Sequence, residues 1–144
     1  MGRRRRRRRR PGARDVVAAG LVAAATSGAP STLVALARRE DLLEGARAAG
    51  ALLLPHETRT SVLLAAAVPV HLTLSLGWAA VLARVLPRGR EIPAGVAGGL
   101  AIAALDLGVI GARQPPIRRL PQPRQWADHV AYGLTVGVVL QHRR

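Results

Sequence analysis

Long apolar stretches are the feature that most constrains how this chain can fold. Residues 16–37, 61–83 and 92–112 consist mostly of Ala, Leu, Val, Gly and Ile, and a shorter stretch of this kind follows at 126–140. A helix needs about 20 predominantly apolar residues to cross the hydrocarbon core of a bilayer. The pattern therefore predicts an all-α fold, a bundle of four transmembrane helices.

The aromatic residues that usually fill a soluble core are scarce. The 144 residues include two Trp, one Tyr and no Phe, which makes a soluble helical bundle the minority interpretation. There is also no Cys, so disulfides, thiolate catalysis and Cys-based zinc sites are all excluded.

Positive charge is concentrated at the N-terminus. All 22 basic residues are Arg, as is typical of a GC-rich genome, and eight of them form the run Arg3 to Arg10. Beside an apolar segment this run can mark the cytoplasmic side or attract anionic lipids, at about 1 kcal/mol per residue. Translation upstream of the true start is one alternative. A specific nucleic-acid tail is another, but the aromatic residues expected of a single-strand binder are absent. We predict a disordered cytoplasmic tail over 1–14, a single membrane domain over 15–142, and no specific nucleic-acid partner.

The distribution of Arg also predicts the orientation. With the N-terminus in the cytoplasm, four crossings place fourteen Arg inside and eight outside. Cytoplasmic segments carry the excess of positive charge, so both termini are predicted to be cytoplasmic. This prediction weakens or reverses if the N-terminal run is not native, because the inside count then falls to about five or six.

Two connecting segments have patterns of their own. Between the first two spans, apolar and charged residues separate onto opposite helical faces, and Pro55 ends the pattern; the apolar face holds Leu42, Leu43, Ala46, Ala49 and Leu53. This predicts a short amphipathic helix that lies at the membrane surface or packs on the end of the bundle. Four prolines between 113 and 125 predict an extended, stiff connection.

Asp106 is the most costly residue of the third span. It shares one helical face with Gly95, Gly99 and Ala103, a pattern of small residues that allows another helix to approach closely. The apolar residues of this span contribute roughly −2 to −4 kcal/mol to insertion, against about +2.5 to +3.5 for a central Asp. We therefore expect Asp106 to face a neighbouring helix that satisfies its carboxyl group, or to be protonated.

Further polar residues are expected, like Asp106, in the half of the bundle that faces away from the cytoplasm. We predict an intramembrane polar cluster made of His71, Ser75, Asp106, Asp128, His129 and Tyr132. His71 could equally be an ordinary hydrogen-bond partner, and Asp128 an N-terminal helix residue at the interface. Pro30 and Pro69 predict helix kinks, each of which frees a backbone carbonyl one turn earlier.

Motifs for known chemistry are lacking. The sequence contains no Gly-rich loop before a Lys, no His-Glu-x-x-His and no Gly-x-Ser-x-Gly. We therefore predict no catalytic residues, no cofactor, no metal and no enzymatic activity.

Two segments resemble a known class of proteins. These are Gly20 to Leu33, with its core Ser-Gly-Ala-Pro-Ser-Thr, and the element Ala127-Asp128-His129-Val130-Ala131-Tyr132-Gly133. They resemble small multi-pass inner-membrane proteins of bacteria, of an actinobacterial type. The resemblance implies a multi-pass protein of the plasma membrane, and it carries no activity that could be transferred.

Two hypotheses for the function follow from the sequence. In the first, the protein is a non-enzymatic structural or regulatory membrane protein whose polar residues hold its helices together. In the second, it is a small transporter or proton-linked permease that uses the His and Asp residues as a relay. Because four short helices enclose little space, such a transporter is expected to be a homo-oligomer.

Overall fold

Helices account for most of the part of the chain that the structure describes. The computed structural model describes residues 11–143, within which there is no strand. The disordered tail was predicted over 1–14, and its arginine run, Arg3 to Arg10, lies outside the described residues. An all-α fold is therefore confirmed for residues 11–143.

Between residues 11 and 143 the chain forms seven α-helices. Their bounds are α1 Ala13–Thr26, α2 Ala29–Arg38, α3 Glu44–Ala51, α4 Thr60–Val85, α5 Glu91–Ala103, α6 Pro115–Arg118 and α7 Gln122–Arg143. Between α5 and α6 the chain continues as a π-helix over Ala104–Ile110 and a 3-10 turn over Gly111–Arg113.

In the described part of the chain, three helical stretches are long and apolar enough to cross a membrane. They are Ala13–Arg38, Thr60–Val85 and Glu91–Arg113, and they match the first three predicted spans to within a few residues. α7 has 22 residues, which corresponds to about 33 Å, so it is longer than predicted. It is not among these apolar stretches because it also carries Arg, Asp and His side chains.

The long stretches alternate in direction. Arg143 Nη1 lies 3.4 Å from Asp15 Oδ1, which places the two ends of the described chain at the same end of the bundle. At the opposite end Arg124 forms an ion pair with Glu40, and this pairing lowers the pKa of the Glu40 carboxyl. α7 packs against α1, α2 and α5, whereas α4 packs mainly against α1 and α3.

Small residues fill the interior and large apolar residues cover the outside. Eight of the 17 buried apolar residues in the described chain are Ala. Exposed leucines, valines and isoleucines occur on all four long stretches, among them Val17, Leu72, Leu100, Ile110 and Leu134. A soluble protein rarely exposes so much contiguous apolar surface. Small residues at helix interfaces with large ones outside are the arrangement of helices packed in lipid.

A close helix contact joins α5 and α7 through glycines on both helices. Gly95 faces the backbone carbonyl of Gly133, Gly99 faces that of His129, and Gly137 faces that of Glu91. A Cβ atom at any of these glycines would collide with the backbone of the other helix. The predicted small-residue face of α5 is therefore a helix interface, and its partner is a second glycine pair on α7.

The first connecting helix is shorter than its amphipathic pattern indicated. α3 begins at Glu44 and ends at Ala51, and it buries Ala48 and Gly50 against the bundle. Gly50 meets the backbone of Leu63, and such an approach is possible only without a side chain. α3 thus packs on the end of the bundle. Leu42, Leu43 and Leu53, three residues of the predicted apolar face, are exposed in the flanking turns, so the prediction was wrong for them.

The proline-rich connection is helical, and the prediction of an extended segment was wrong. Pro115 and Pro116 are the first two residues of α6, and Pro123 is the second residue of α7. The first turn of a helix has no intrahelical partner for its N–H groups, so proline costs nothing there. The prolines therefore mark two helix starts.

Glycine substitutions should show which glycines hold the bundle together. Gly133→Ala puts a Cβ against the backbone of α5, so we expect a loss of about 1–3 kcal/mol of unfolding free energy from overpacking. Gly77→Ala on α4 meets no atom within 4 Å and is the matched control, expected to be neutral or stabilising. The measurement is the melting temperature in detergent. Equal melting temperatures of the two variants would contradict the close contact between α5 and α7.

Candidate functional site

The first membrane-spanning stretch is broken near its middle. Ser27 and Gly28 separate α1 from α2, about 17 Å from Arg38 at the end of α2. Helix ends leave backbone C=O and N–H groups without intrahelical partners. The hydrocarbon core holds no water to satisfy them, so side chains from neighbouring helices must do so.

Asp128 of α7 caps the start of α2. Its Oδ1 atom accepts a hydrogen bond of 2.9 Å from the backbone N–H of Ser31, the third residue of α2. A carboxylate at a helix N-terminus is favoured both by the unpaired N–H groups and by the helix dipole. Asp128 is the seventh residue of α7, so it caps a neighbouring helix and not its own.

His71 of α4 bonds to a backbone carbonyl at the end of α1. Its Nε2 atom lies 2.9 Å from the carbonyl oxygen of Ala24, in the last turn of α1. A carbonyl oxygen can only accept, so Nε2 carries the hydrogen in this contact. The hydroxyl of Thr26 donates to the Val22 carbonyl at 2.9 Å and lies 3.4 Å from the hydroxyl of Thr135 on α7.

Asp106 lies in a second polar group, formed by α4, α7 and the π-helix. Its Oδ2 atom accepts a hydrogen bond of 3.0 Å from the indole N–H of Trp78, and Nε2 of His129 is 3.7 Å from the same oxygen. His129 Nδ1 donates to the carbonyl oxygen of Gln125 at 2.7 Å. Nε2 is therefore the histidine nitrogen that can exchange a proton with the Asp106 carboxyl.

The backbone at Asp106 is a π-helix. The N–H of Gly111 bonds to the carbonyl of Asp106, five residues earlier, where an α-helix would use the residue four earlier. Short π-helical segments within longer helices occur often at functional sites. The apolar pattern of the sequence does not predict this π-helix. Gly108 and Gly111 were the available signal that the chain could depart from α-helical geometry there.

Tyr132 bonds α7 to α4. Its hydroxyl is buried and donates to the backbone carbonyl of Ser75 on α4, and Ser75 is itself 5% exposed. Of the predicted cluster, Asp106 and His129 lie together, Asp128 lies at the helix break, and Ser75 and Tyr132 form a separate contact between α4 and α7. His71 is exposed and bonds at the break, not to Asp106.

The two prolines have different roles. Pro69 lies inside α4, which continues from Thr60 to Val85. The kink predicted at Pro69 stays a prediction. Pro30 is the second residue of α2, in a first turn where its missing N–H is not needed. The predicted kink at Pro30 is thus a complete break between two helices, because the chain leaves helical geometry at Gly28.

Glu91 is a buried acidic residue that the sequence analysis did not select. It is 0% exposed at the start of α5, and its Oε2 atom accepts a 2.7 Å hydrogen bond from the N–H of Gly89. An acidic residue directly before the predicted span 92–112 was the available signal. Within residues 11–143, no group of three or more acidic or His side chains could hold a metal ion.

The lipid-compatible exterior and the three apolar stretches are those expected of a membrane protein. No family model, no curated protein and no solved structure matches this chain.

Substitutions of Asp128 should measure the contribution of the cap on α2. Asp128→Leu leaves the Ser31 N–H without its acceptor, so we expect a loss of about 0.5–2 kcal/mol of unfolding free energy. Asp128→Asn retains an acceptor oxygen and should lose less. His142→Leu, at the exposed end of the same helix, is the control, and detergent melting temperatures provide the measurement. A Leu variant as stable as the control would exclude the capping role.

Proposed function

We propose that this chain is a four-span protein of a bacterial plasma membrane, with both termini in the cytoplasm and a non-enzymatic structural or regulatory role. α7 is long enough to cross, and it packs between apolar helices, so its polar side chains need not face lipid. With the run Arg3 to Arg10 counted, fourteen Arg fall on the side of the two termini and eight on the other side, which supports a cytoplasmic placement of the termini.

The observation that carries the structural role is that the intramembrane polar side chains bond from helix to helix. Asp128 bonds α7 to α2, Tyr132 bonds α7 to α4, and Trp78 bonds α4 to Asp106. Each such bond contributes about 0.6 kcal/mol on average in a membrane bundle, and up to about 2. Residues used in this way hold a bundle in one arrangement and leave few groups to bind a substrate.

A proton-linked permease is the second candidate. The pair Asp106 and His129, the π-helix around Asp106 and the broken first span favour it, because discontinuous helices and intramembrane His and Asp residues are typical of transporters. In this case the proton would pass between Oδ2 of Asp106 and Nε2 of His129.

Single cysteines can test the topology, because the native chain has none. We expect Gln141→Cys, exposed near the end of α7, to react with a membrane-impermeant thiol reagent only after the cells are opened. Gly45→Cys, which meets no atom within 4 Å, should react in intact cells. If both cysteines react in intact cells, α7 does not span the membrane. Release of the wild-type chain from membranes by carbonate would exclude the membrane assignment altogether.

Variants of Asp106 separate the structural role from the permease. We expect Asp106→Asn to remain folded with an acceptor for Trp78, and Asp106→Leu to retain the fold because it removes the cost of burying a carboxyl group. The paired measurements are the detergent melting temperature and proton flux in liposomes under a pH gradient. Trp78→Phe is the control, since it removes the indole donor and part of the ring but leaves the Asp106 carboxyl group in place.

The structural role predicts no flux above empty liposomes for the wild type or either variant. Proton flux in the wild type that both folded variants lose would instead establish the relay, since neither Asn nor Leu can carry the proton.

A further inference from the structure

A cavity lies between α1 and α4, at the end of the bundle that holds both described termini. Its volume is about 460 Å³, and its wall includes Val16 and Val17 of α1 together with Leu76, Ala80 and Arg84 of α4. This volume is within the range of about 300–1,000 Å³ that is typical of small-molecule sites. The wall is apolar apart from Arg84, as a site for a lipid chain requires.

The cavity runs along the depth of one leaflet. Leu76, Ala80 and Arg84 are four residues apart on one face of α4, so they cover about 12 Å along the helix axis. Leu76 lies about 14 Å from the end of α4, close to half of a hydrocarbon core of about 30 Å. Val17 on the rim is 46% exposed, so the cavity opens onto the lipid-facing surface of the bundle.

Positive charge lies at the end of this cavity that is nearest to the described termini. One guanidinium nitrogen of Arg84 donates to the Ala80 carbonyl at 2.8 Å, and the other N–H groups remain available to a second acceptor. Within residues 11–143, no carboxylate forms an ion pair with Arg84. Asp15 at the same end is already paired with Arg143.

The arginine run directly precedes a residue of the cavity wall in the sequence. Pro11 lines the cavity, and Arg3 to Arg10 directly precede it in the chain. A run of this kind beside a membrane surface attracts anionic lipids. An anionic lipid that enters from the surrounding leaflet would therefore be enriched where the cavity opens.

We propose that this cavity holds one acyl chain of an anionic phospholipid, whose phosphate group is bound by Arg84. A zwitterionic lipid offers no net charge to the arginines at this end, and a free phosphate ion offers nothing for the apolar wall. The site rests on the membrane assignment of the proposed function, but it is independent of the choice between a structural role and a permease.

The test measures retention of phosphatidylglycerol and phosphatidylcholine by the full chain, purified in detergent, with native mass spectrometry. The wild type should retain phosphatidylglycerol preferentially. Arg84→Gln should weaken this retention about tenfold, as expected for the loss of a charge-assisted hydrogen bond. Ala80→Phe should weaken it by filling the cavity.

Matched controls lie outside the cavity. Arg113→Gln, at the opposite end of the bundle, and Ala97→Phe, exposed on α5, should bind phosphatidylglycerol like the wild type. A phosphatidylglycerol analogue with a photoreactive group on its acyl chain should crosslink to the peptides that contain Val17 or Leu76, a result that does not depend on the stability of a variant.

Unchanged retention by Arg84→Gln and Ala80→Phe, or crosslinks confined to other helices, would overturn the proposal. Loss of retention only when Arg3 to Arg10 are deleted would also overturn it, since binding would then be to the tail. Carbonate extraction of each variant separates the two levels. A chain that stays in the membrane but shows no lipid preference refutes the site alone, whereas a chain released by carbonate refutes the membrane assignment.

Discussion

The backbone contact between α5 and α7 determines where the polar side chains of this bundle can meet. Gly95 and Gly99 let α7 approach so closely that the carbonyls of Gly133 and His129 touch α5. This approach brings the imidazole of His129 beside the Asp106 carboxyl. In lipid there is little hydrophobic force between helices, so close packing of small residues must supply much of the attraction. The polar contacts of α7 are therefore secondary to a contact made by residues with no side chains.

Much of the fold was predictable because the membrane pattern is simple. The three apolar stretches gave helix positions to within a few residues, and the small residues before Asp106 identified the interface of α5. The sequence did not reveal that Gly133 and Gly137 would be the opposing residues, because the pairing of helices depends on tertiary packing. The failures at α3 and α6 have a local cause, since a periodic pattern shows which face is apolar but not where the helix ends.

The candidate site was predicted in composition but not in arrangement. Depth along the helices suggested that His71, Asp106 and His129 form one group, yet residues at similar depths can face different neighbours. Trp78 takes the place next to Asp106 that His71 was expected to occupy. His71 instead bonds to a carbonyl in the last turn of α1, and Asp128 to an N–H group in the first turn of α2. A break in a span leaves backbone groups without intrahelical partners. Counting these groups would have predicted the bonding partners of both His71 and Asp128.

The broken first span also has a mechanical consequence. The end of α1 is tied to α4 by His71, and the start of α2 is tied to α7 by Asp128. The two halves of the first span are thus hydrogen-bonded to different helices, and only Ser27 and Gly28 separate these halves. If α4 and α7 slide past each other, the angle between α1 and α2 must change or one tie must break. The angle between α1 and α2 therefore depends on the relative position of α4 and α7.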